Sequence, residues 1–280
     1  MKHFKKTLCV LLAVLLLGGT TLFAFAEDGE NVVSLRVEGI TDCLFYGDVT
    51  VADGATALDA LIAADAISDD LTLTVTESEY GSYLAAINGL YAGSQTTKGW
   101  DGWMFRVNDM APEVGINAFV VKGGDVLVVY YSDEYGETGM YYPVLDDSLL
   151  LTEGKLSFTS TVTEYDPVTW EPTVQEVTIK DYTLIWDGAR IQPDENGVVT
   201  LTDAQLQNGD HSVQIERYAQ NGLPTVLRFA PDFSIKIEKS TEDPGTNDTQ
   251  DQQDFFADII NVLKGLFQKI IDFFKGLFNK

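Results

Sequence analysis

The sequence predicts a mainly β protein of the α+β class, with two β-rich domains followed by a separate C-terminal amphipathic helix. Three observations indicate this organisation. Residues 99–131 combine strand-like runs, tight turns and two tryptophans within the length of one small sheet. Residues 155–238 contain short strand-like runs at regular spacing and show no helical periodicity. Residues 254–280 have an apolar helical face unlike anything earlier in the chain.

The stretch 99–131 predicts a small antiparallel sheet. Residues 103–108 alternate between two faces, as in a strand with one buried side. Residues 118–121 form a second strand-like run, and the glycines of 122–125 predict a tight hairpin turn after it. Residues 126–131 are apolar without alternation, which is typical of a central strand buried on both faces.

A strand and a helix are predicted upstream of this sheet. Residues 49–54 form a short strand that ends in an Asp-Gly turn, and Thr56 is a suitable N-cap for the helix that follows. The apolar positions of this helix are Leu58, Leu61, Ile62 and Ala66. A strand, a helix and then an aromatic hairpin is the element order of a β-grasp-like domain, in which a small sheet wraps around one helix.

Four sequence segments carry a family resemblance: DGATALDALIAA, YLAAINGLYAG, GWDGWMFRVND and KGGDVLVVYY. Together they resemble the transcobalamin-like C-terminal domain of bacterial secreted and surface proteins, over residues 33–132. In vitamin-B12 carriers the related domain closes over cobalamin from one side, beside a large helical domain. The resemblance implies that a corrinoid would lie against the loop around Trp100, with Asn108 as a nearby hydrogen-bond group. Binding by this chain alone would then be weak, or a second protein would be needed to complete the site.

The N-terminus predicts export. Residues 1–26 begin with lysines, continue with an apolar run at 8–17 and end in Ala-Phe-Ala at 24–26, the three parts of a secretory signal peptide. The apolar run is shorter than the about 20 residues that a membrane span needs. We therefore expect a secreted or extracellular protein, attached at most peripherally to the membrane or cell surface.

The net charge and the cysteine content limit the classes of function that this chain can have. The net charge is −25, and it becomes −28 once the three lysines of residues 1–26 are removed. Such an acidic chain is not expected to bind nucleic acid, which requires clustered Lys and Arg. Cys43 is the one cysteine after residue 26, and we expect a small buried side chain there.

The predicted domain boundaries follow changes in composition. Residues 1–26 form the signal peptide, 27–145 the β-grasp-like domain, 146–238 an Ig-like β-sandwich that begins with a connector, 239–253 a flexible linker and 254–280 the helix. The sandwich resembles bacterial Ig-like or carboxypeptidase-regulatory-like modules, over residues 155–238. Such modules commonly serve as spacers.

The predicted strands of the second domain lie between Asp-Gly and Asn-Gly turn signals. They cover residues 156–159, 174–179, 182–186, 198–201, 212–218, 226–229 and 233–237.

The C-terminal helix has the pattern of a helix that lies in a membrane interface. Apolar residues fill about half of its circumference, and lysines border that half, where their charged ends reach lipid phosphates. The side chains that we expect to contact the membrane are Phe256, Leu263, Lys264, Phe267, Ile270, Phe274, Lys275 and Leu277. Two alternatives stay open, namely docking of the apolar half on the protein's own body and association with another chain.

Binding is the function that the remaining residues favour. Aromatic side chains and one amide suit a sugar, a flat molecule or a peptide. The candidate ligand-binding residues are Tyr83, Tyr91, Trp100, Trp103, Asn108 and Tyr130. Packing of Trp103 and Phe105 on the helix is the competing interpretation for those two rings.

Catalysis and metal binding find little support. His211 is the one histidine after residue 26, no Gly-x-Ser-x-Gly motif is present, and one Cys with one His is too few for zinc. We therefore expect a non-enzymatic binding protein of the cell envelope, without metal or cofactor, whose ligand is a small molecule such as a corrinoid or a group on an envelope protein. The alternative is an extracellular structural or adhesive module without a small-molecule ligand.

Overall fold

The computed structural model describes residues 29–79, 81–136, 138–166 and 168–239. The signal peptide predicted at 1–26 and the helix predicted at 254–280 lie outside the described residues, as does nearly all of the linker predicted at 239–253. No helix in the described part of the chain is long and apolar enough to cross a membrane.

The first sheet has four strands in the order β2-β1-β7-β6. Their bounds are Glu30–Glu38 (β1), Cys43–Ala52 (β2), Gly102–Val107 (β6) and Val126–Ser132 (β7). The β1–β2 and β6–β7 pairs are antiparallel, but β1 and β7 are parallel. The antiparallel pairing predicted within residues 99–131 is confirmed for β6 and β7. The parallel β1–β7 pair was not predicted, and it arises because the connection through the helix returns β7 alongside β1 in the same direction. The strand order and the helix crossover are those of the predicted β-grasp-like fold.

Helix α1 (Ala57–Ile67) covers one face of this sheet. Thr56 caps it as predicted, since its hydroxyl accepts from the Asp59 amide (3.2 Å) and the Asp59 carboxylate accepts from the Thr56 amide (2.8 Å). The buried face consists of Ala57, Leu58, Ala60, Leu61 and Ala64. The predictions for Ile62 and Ala66 were wrong, since both are exposed. The contact face of the helix instead includes three alanines, at 57, 60 and 64.

A smaller sheet was not predicted from the sequence. It contains β3 (Leu73–Ser78), β4 (Gly81–Ile87) and β5 (Leu90–Tyr91) in that order. The β4–β5 hairpin turns at Asn88 and Gly89, whose φ angles are +51° and +76°. Positive φ at both central residues is the requirement of a type I′ turn, which Asn-Gly meets well.

The strand predicted at 118–121 is absent. Only Val120 makes an isolated bridge there, to Thr56. The glycine turn at 122–125 therefore does not join two strands of a hairpin. It leads from a loop into β7, and its Gly124 amide donates to the carbonyl of Val32 in β1 (2.8 Å).

The second part of the chain is a sandwich of two sheets, as predicted. One sheet has the order β10-β9-β13, with β8 also paired to β9, and the other has the order β12-β11-β14-β15. The strands are β8 (Val144–Asp146), β9 (Lys155–Tyr165), β10 (Pro172–Thr178), β11 (Thr183–Trp186), β12 (Ala189–Ile191), β13 (Val198–Thr200), β14 (Gly209–Glu216) and β15 (Ser234–Ile237). Phe158, Tyr182 and Trp186 are the largest side chains in the core between the sheets.

One strand prediction for this region was wrong. The strand at 226–229 is absent, and Val226 makes only an isolated bridge to Tyr141. The segment 146–153, predicted as a connector, contains the end of β8 and the short helix α2 (Leu150–Glu153). Leu150 anchors this helix in the sandwich core.

The expectation of a buried Cys43 was also wrong. The residue is exposed at the start of β2, and its thiol donates to the carbonyl of Phe45 (3.3 Å). The ladder between β1 and β2 is irregular at this point, so Cys43 does not follow the burial pattern of the strand. Local desolvation and, to a smaller extent, the nearby charge of Glu38 raise the pKa of Cys43 to about 11.

Candidate functional site

A cleft of about 280 Å³ lies beside β6, the edge strand of the first sheet. Residues of β4, β6 and the loop 111–117 line it, together with Tyr130 of β7 and two residues that follow β7. The lining residues are Ser82, Tyr83, Leu84, Trp103, Met104, Phe105, Ala111, Pro112, Gly115, Ile116, Asn117, Tyr130, Glu134 and Tyr135. We call this set of residues the β6 cleft.

The alternation of β6 brings side chains from both faces of the sheet to the cleft. Trp103 and Phe105 point to the face that α1 covers, as the sequence predicted, and Met104 points to the other. The Trp103 ring meets Tyr131 edge to face (centroids 5.2 Å apart), and its indole N–H donates to the carbonyl of Leu90 (2.9 Å). Partial packing on the core therefore holds Trp103 in place while it lines the cleft.

Glu134 is held at the cleft by the phenols of the buried Tyr130 and the half-buried Tyr142. The Tyr130 hydroxyl donates to one carboxylate oxygen (2.8 Å) and the Tyr142 hydroxyl to the other (2.5 Å). Burial raises the pKa of both phenols, and the negative charge of Glu134 raises it further. Both tyrosines are consequently protonated donors at any physiological pH.

A separate loop presents Trp100 to solvent, and Asp101 organises it. The buried Asp101 carboxylate accepts hydrogen bonds from the amides of Gln95 (2.8 Å) and Thr96 (3.0 Å) and from the hydroxyls of Thr96 and Tyr131 (both 2.5 Å). Burial acts to raise the pKa of Asp101, but these hydrogen bonds outweigh it and lower the pKa to about 2. Trp100 itself is 58% exposed.

The structure brings three of the six predicted ligand residues together. Tyr83, Trp103 and Tyr130 line the β6 cleft. Tyr91 and Trp100 are exposed outside it.

Asn108 has a structural position in a turn. Its side chain donates to the Asp125 carboxylate and accepts from the Val126 amide, each at 2.9 Å, so it closes the connection between β6 and β7.

Sequence reasoning missed the rest of the cleft. Met104 and Phe105 lie on the predicted strand and could have been found from their neighbours. Glu134 and Asp101 carry no sequence signal that separates them from the other acidic residues of this acidic chain. The loop 111–117 is placed only by the tertiary fold.

His211 lies away from the β6 cleft, in β14. Its Nδ1 lies 2.7 Å from the Asp187 carboxylate and its Nε2 lies 2.7 Å from the Gln207 carbonyl, while the ring stacks on Trp186. Burial opposes the charged form, but the bonds to Asp187 and Gln207 raise the pKa of the imidazole overall. Both ring nitrogens are thus engaged in the packing of the sandwich. Within the described residues, no group of three His, Cys, Asp or Glu side chains is placed to hold a metal ion.

One comparison with known proteins matches a region that contains most of the residues lining this cleft. A family model described as "Domain of unknown function (DUF4430)", a family associated with transcobalamin-like domains, matches residues 54–133. No curated protein matches. Among the solved structures that match is a crystal structure of haptocorrin in complex with Cbi, at 24% identity and a TM-score of 0.34. That match covers 38% of this chain and 25% of haptocorrin.

Proposed function

We propose that this chain is a secreted, non-enzymatic binding protein of the cell envelope that holds its ligand in the β6 cleft. The observation that supports this most directly is the cleft itself. It is concave, most of its lining is apolar or aromatic, and a few polar groups converge on it. Clefts that bind small molecules have this composition, and the volume of about 280 Å³ lies just below their usual range.

A ligand in this cleft is held mainly by rings that the fold has already fixed. Tyr130 is hydrogen-bonded to Glu134, and the Trp103 indole is hydrogen-bonded to the Leu90 carbonyl. Neither ring therefore loses much conformational freedom when a ligand binds. Tyr83 is half-exposed and supplies a third ring at the mouth of the cleft. Preorganised aromatic surface of this kind favours flat or apolar groups.

The resemblance to transcobalamin-like domains suggests a corrinoid as one candidate ligand. A corrin ring is much larger than the β6 cleft, so only an edge of it would enter. The rest would contact exposed rings such as Trp100 and Tyr91 or a second protein. Binding by this chain alone would therefore be weak.

A neutral fluorescent probe for apolar sites, N-phenyl-1-naphthylamine, tests the binding function. We expect saturable fluorescence enhancement with the protein lacking residues 1–26. Ala111→Trp places a large ring in the cleft and should abolish the enhancement. Ala66→Trp adds the same ring on the exposed side of α1 and should leave it unchanged. Equal enhancement in all three proteins would contradict the proposal, as would no enhancement at all.

A parallel calorimetric titration with cobinamide tests the corrinoid ligand. Weak binding that Trp100→Ala reduces would support it. The absence of heat at near-millimolar cobinamide would remove corrinoids from the proposal while leaving the cleft itself to the probe experiment.

The second candidate function is a structural or adhesive module, and one contact favours it. Arg36 and Glu38 of β1 and Arg228 of the sandwich join the first sheet to the second part of the chain through hydrogen bonds, and Tyr46 donates to Asp232 (2.6 Å). Such a junction would keep the two parts in one orientation, as a spacer requires.

A further inference from the structure

The charges that face the β6 cleft are of one sign. Glu134 is the one charged side chain among its lining residues, and no Lys or Arg lines it. The chain as a whole is strongly acidic, so its field also concentrates cations near the surface. An anionic ligand would meet repulsion from both sources.

Five of the side chains that line the cleft are aromatic. They belong to Tyr83, Trp103, Phe105, Tyr130 and Tyr135. The face of an aromatic ring carries negative partial charge and attracts an organic cation, most strongly where water is excluded. Several rings beside one carboxylate form the usual recognition pattern for an alkylammonium group.

The Glu134 carboxylate remains able to receive a ligand. Two phenols donate to it, one to each oxygen, and a carboxylate has about four acceptor positions. The nearby Arg106 guanidinium lies over the Tyr142 ring (3.8 Å to its centroid) and donates to the Asp109 carbonyl. None of the ion pairs found among the described residues includes Glu134.

We infer that the β6 cleft selects an organic ammonium ion, with the ammonium group between the aromatic rings and the Glu134 carboxylate. This inference rests on the proposed binding function and adds the chemical class of the ligand to it. The tyrosines position the carboxylate, and the rings supply both the apolar contact and the attraction for a diffuse positive charge.

Choline and 3,3-dimethylbutan-1-ol provide a matched pair of probes. They have nearly the same shape, but the second replaces the charged nitrogen with carbon. In an NMR titration of the unaltered protein, we expect choline to bind about tenfold more tightly than the neutral alcohol. This comparison needs no variant and so does not depend on the folding of one.

Glu134→Gln tests the role of the carboxylate. We expect this variant to lose about tenfold in choline affinity and to keep its affinity for the neutral alcohol. Glu176→Gln makes the same charge change on the exposed strand β10, outside the cleft, and should alter neither affinity. Together the two variants separate a local contact from the general effect of net charge.

The outcomes distinguish this inference from the function on which it rests. Equal affinity for choline and the neutral alcohol, with the naphthylamine probe still excluded by Ala111→Trp, would overturn ammonium selectivity and keep the binding cleft. An unchanged choline affinity in Glu134→Gln would likewise overturn it. Failure of the protein to bind any of the three probes would remove both proposals.

Discussion

Asp101 is the residue on which the loop beside β6 depends. Its buried carboxylate accepts hydrogen bonds from two amides and two hydroxyls. These bonds replace the hydrogen bonds to water that the four donors lose on folding. The bond from Tyr131 also ties the loop to the central strand β7. The exposed Trp100 is therefore carried by a loop that its neighbour fixes, which reduces the ordering cost of any contact that Trp100 makes.

The low pKa of Asp101 predicts a dependence of stability on pH. Its value of about 2 lies below the about 3.9 of an unfolded chain, so the stabilisation is complete above pH 4 to 5 and is lost as the pH falls towards 2. The size of this contribution is about 2 kcal/mol. Urea unfolding of the wild type and Asp101→Asn between pH 2 and 6 should show a smaller acid loss in the variant.

The stabilities of two variants provide the comparison for this measurement. At pH 6, Asp101→Asn should be less stable by about 2 kcal/mol, because an amide group cannot accept all four hydrogen bonds. Asp69→Asn, at an exposed turn, should reproduce the wild-type pH profile. Parallel pH profiles for wild type and Asp101→Asn would contradict the assigned role.

Secondary-structure elements show why some apolar runs were misread. Val121 and Val226 lie in two segments that were predicted as strands, and both are buried. They reach the core from loops, without a strand ladder. An apolar run reports that side chains are buried, and it does not report whether the backbone pairs with another strand. Strands with clear alternation, such as β6 and β14, were predicted correctly because alternation requires a pleated backbone.

The hairpin of β9 and β10 shows a conformation that no pattern indicated. Trp170 at its tip has φ +60° and is largely exposed, as is Val168. A bulky residue in the left-handed region is rare and costs about 1 kcal/mol or more. The hairpin is nevertheless held by the Asp166 carboxylate, which accepts from the amides of Val168 (2.8 Å) and Thr169 (2.7 Å).

We expect the helix predicted at 254–280 to bind the protein to anionic membranes. In a sedimentation assay with vesicles of anionic phosphatidylglycerol, we expect the protein comprising residues 27–280 to sediment with the vesicles. A truncated protein comprising residues 27–253 should stay in the supernatant. The apolar half-face and its bordering lysines both favour the lipid surface. Lys264→Glu with Lys275→Glu should weaken the binding, whereas Lys236→Glu on β15 should change it little. Equal sedimentation of the full and truncated proteins would exclude the helix as the contact.

At the scale of the whole molecule, β1 contacts both parts of the chain. Val33, Leu35 and Val37 face α1, while Arg36 and Glu38 lie on the opposite side of the strand. There the Glu38 carboxylate accepts from Arg228, and Arg36 donates to the Arg228 carbonyl (2.6 Å). Burial lowers the pKa of Arg36, and the charge of Glu38 acts against that effect. The second part of the chain thus covers the Arg36 and Glu38 end of the sheet face that α1 leaves open.

This buried group of charges predicts a large effect of one neutral substitution. Glu38→Gln leaves two poorly solvated guanidinium groups without their shared carboxylate, and we expect it to lower the free energy of unfolding by about 3 kcal/mol. Glu216→Gln removes the partner of Arg190, whose side chain is more than half exposed, and should cost less than about 1 kcal/mol. Chemical denaturation at neutral pH measures both. A cost for Glu38→Gln no larger than that for Glu216→Gln would contradict the junction as described.

Sequence and tertiary structure thus determined different parts of this protein. Local patterns were sufficient for the mainly β class, the α1 cap at Thr56 and the burial of the Trp103 face, because each depends on residues that are neighbours in the chain. The parallel pairing of β1 with β7, the contact of Glu134 with Tyr130 and Tyr142, and the Glu38–Arg228 bond were decided by the tertiary structure. The β1–β7 pairing and the Glu38–Arg228 bond join residues far apart in the chain, so they depend on chain topology. Glu134 lies only four and eight residues from its two tyrosines, but one acidic residue among many has no local feature that identifies its partner.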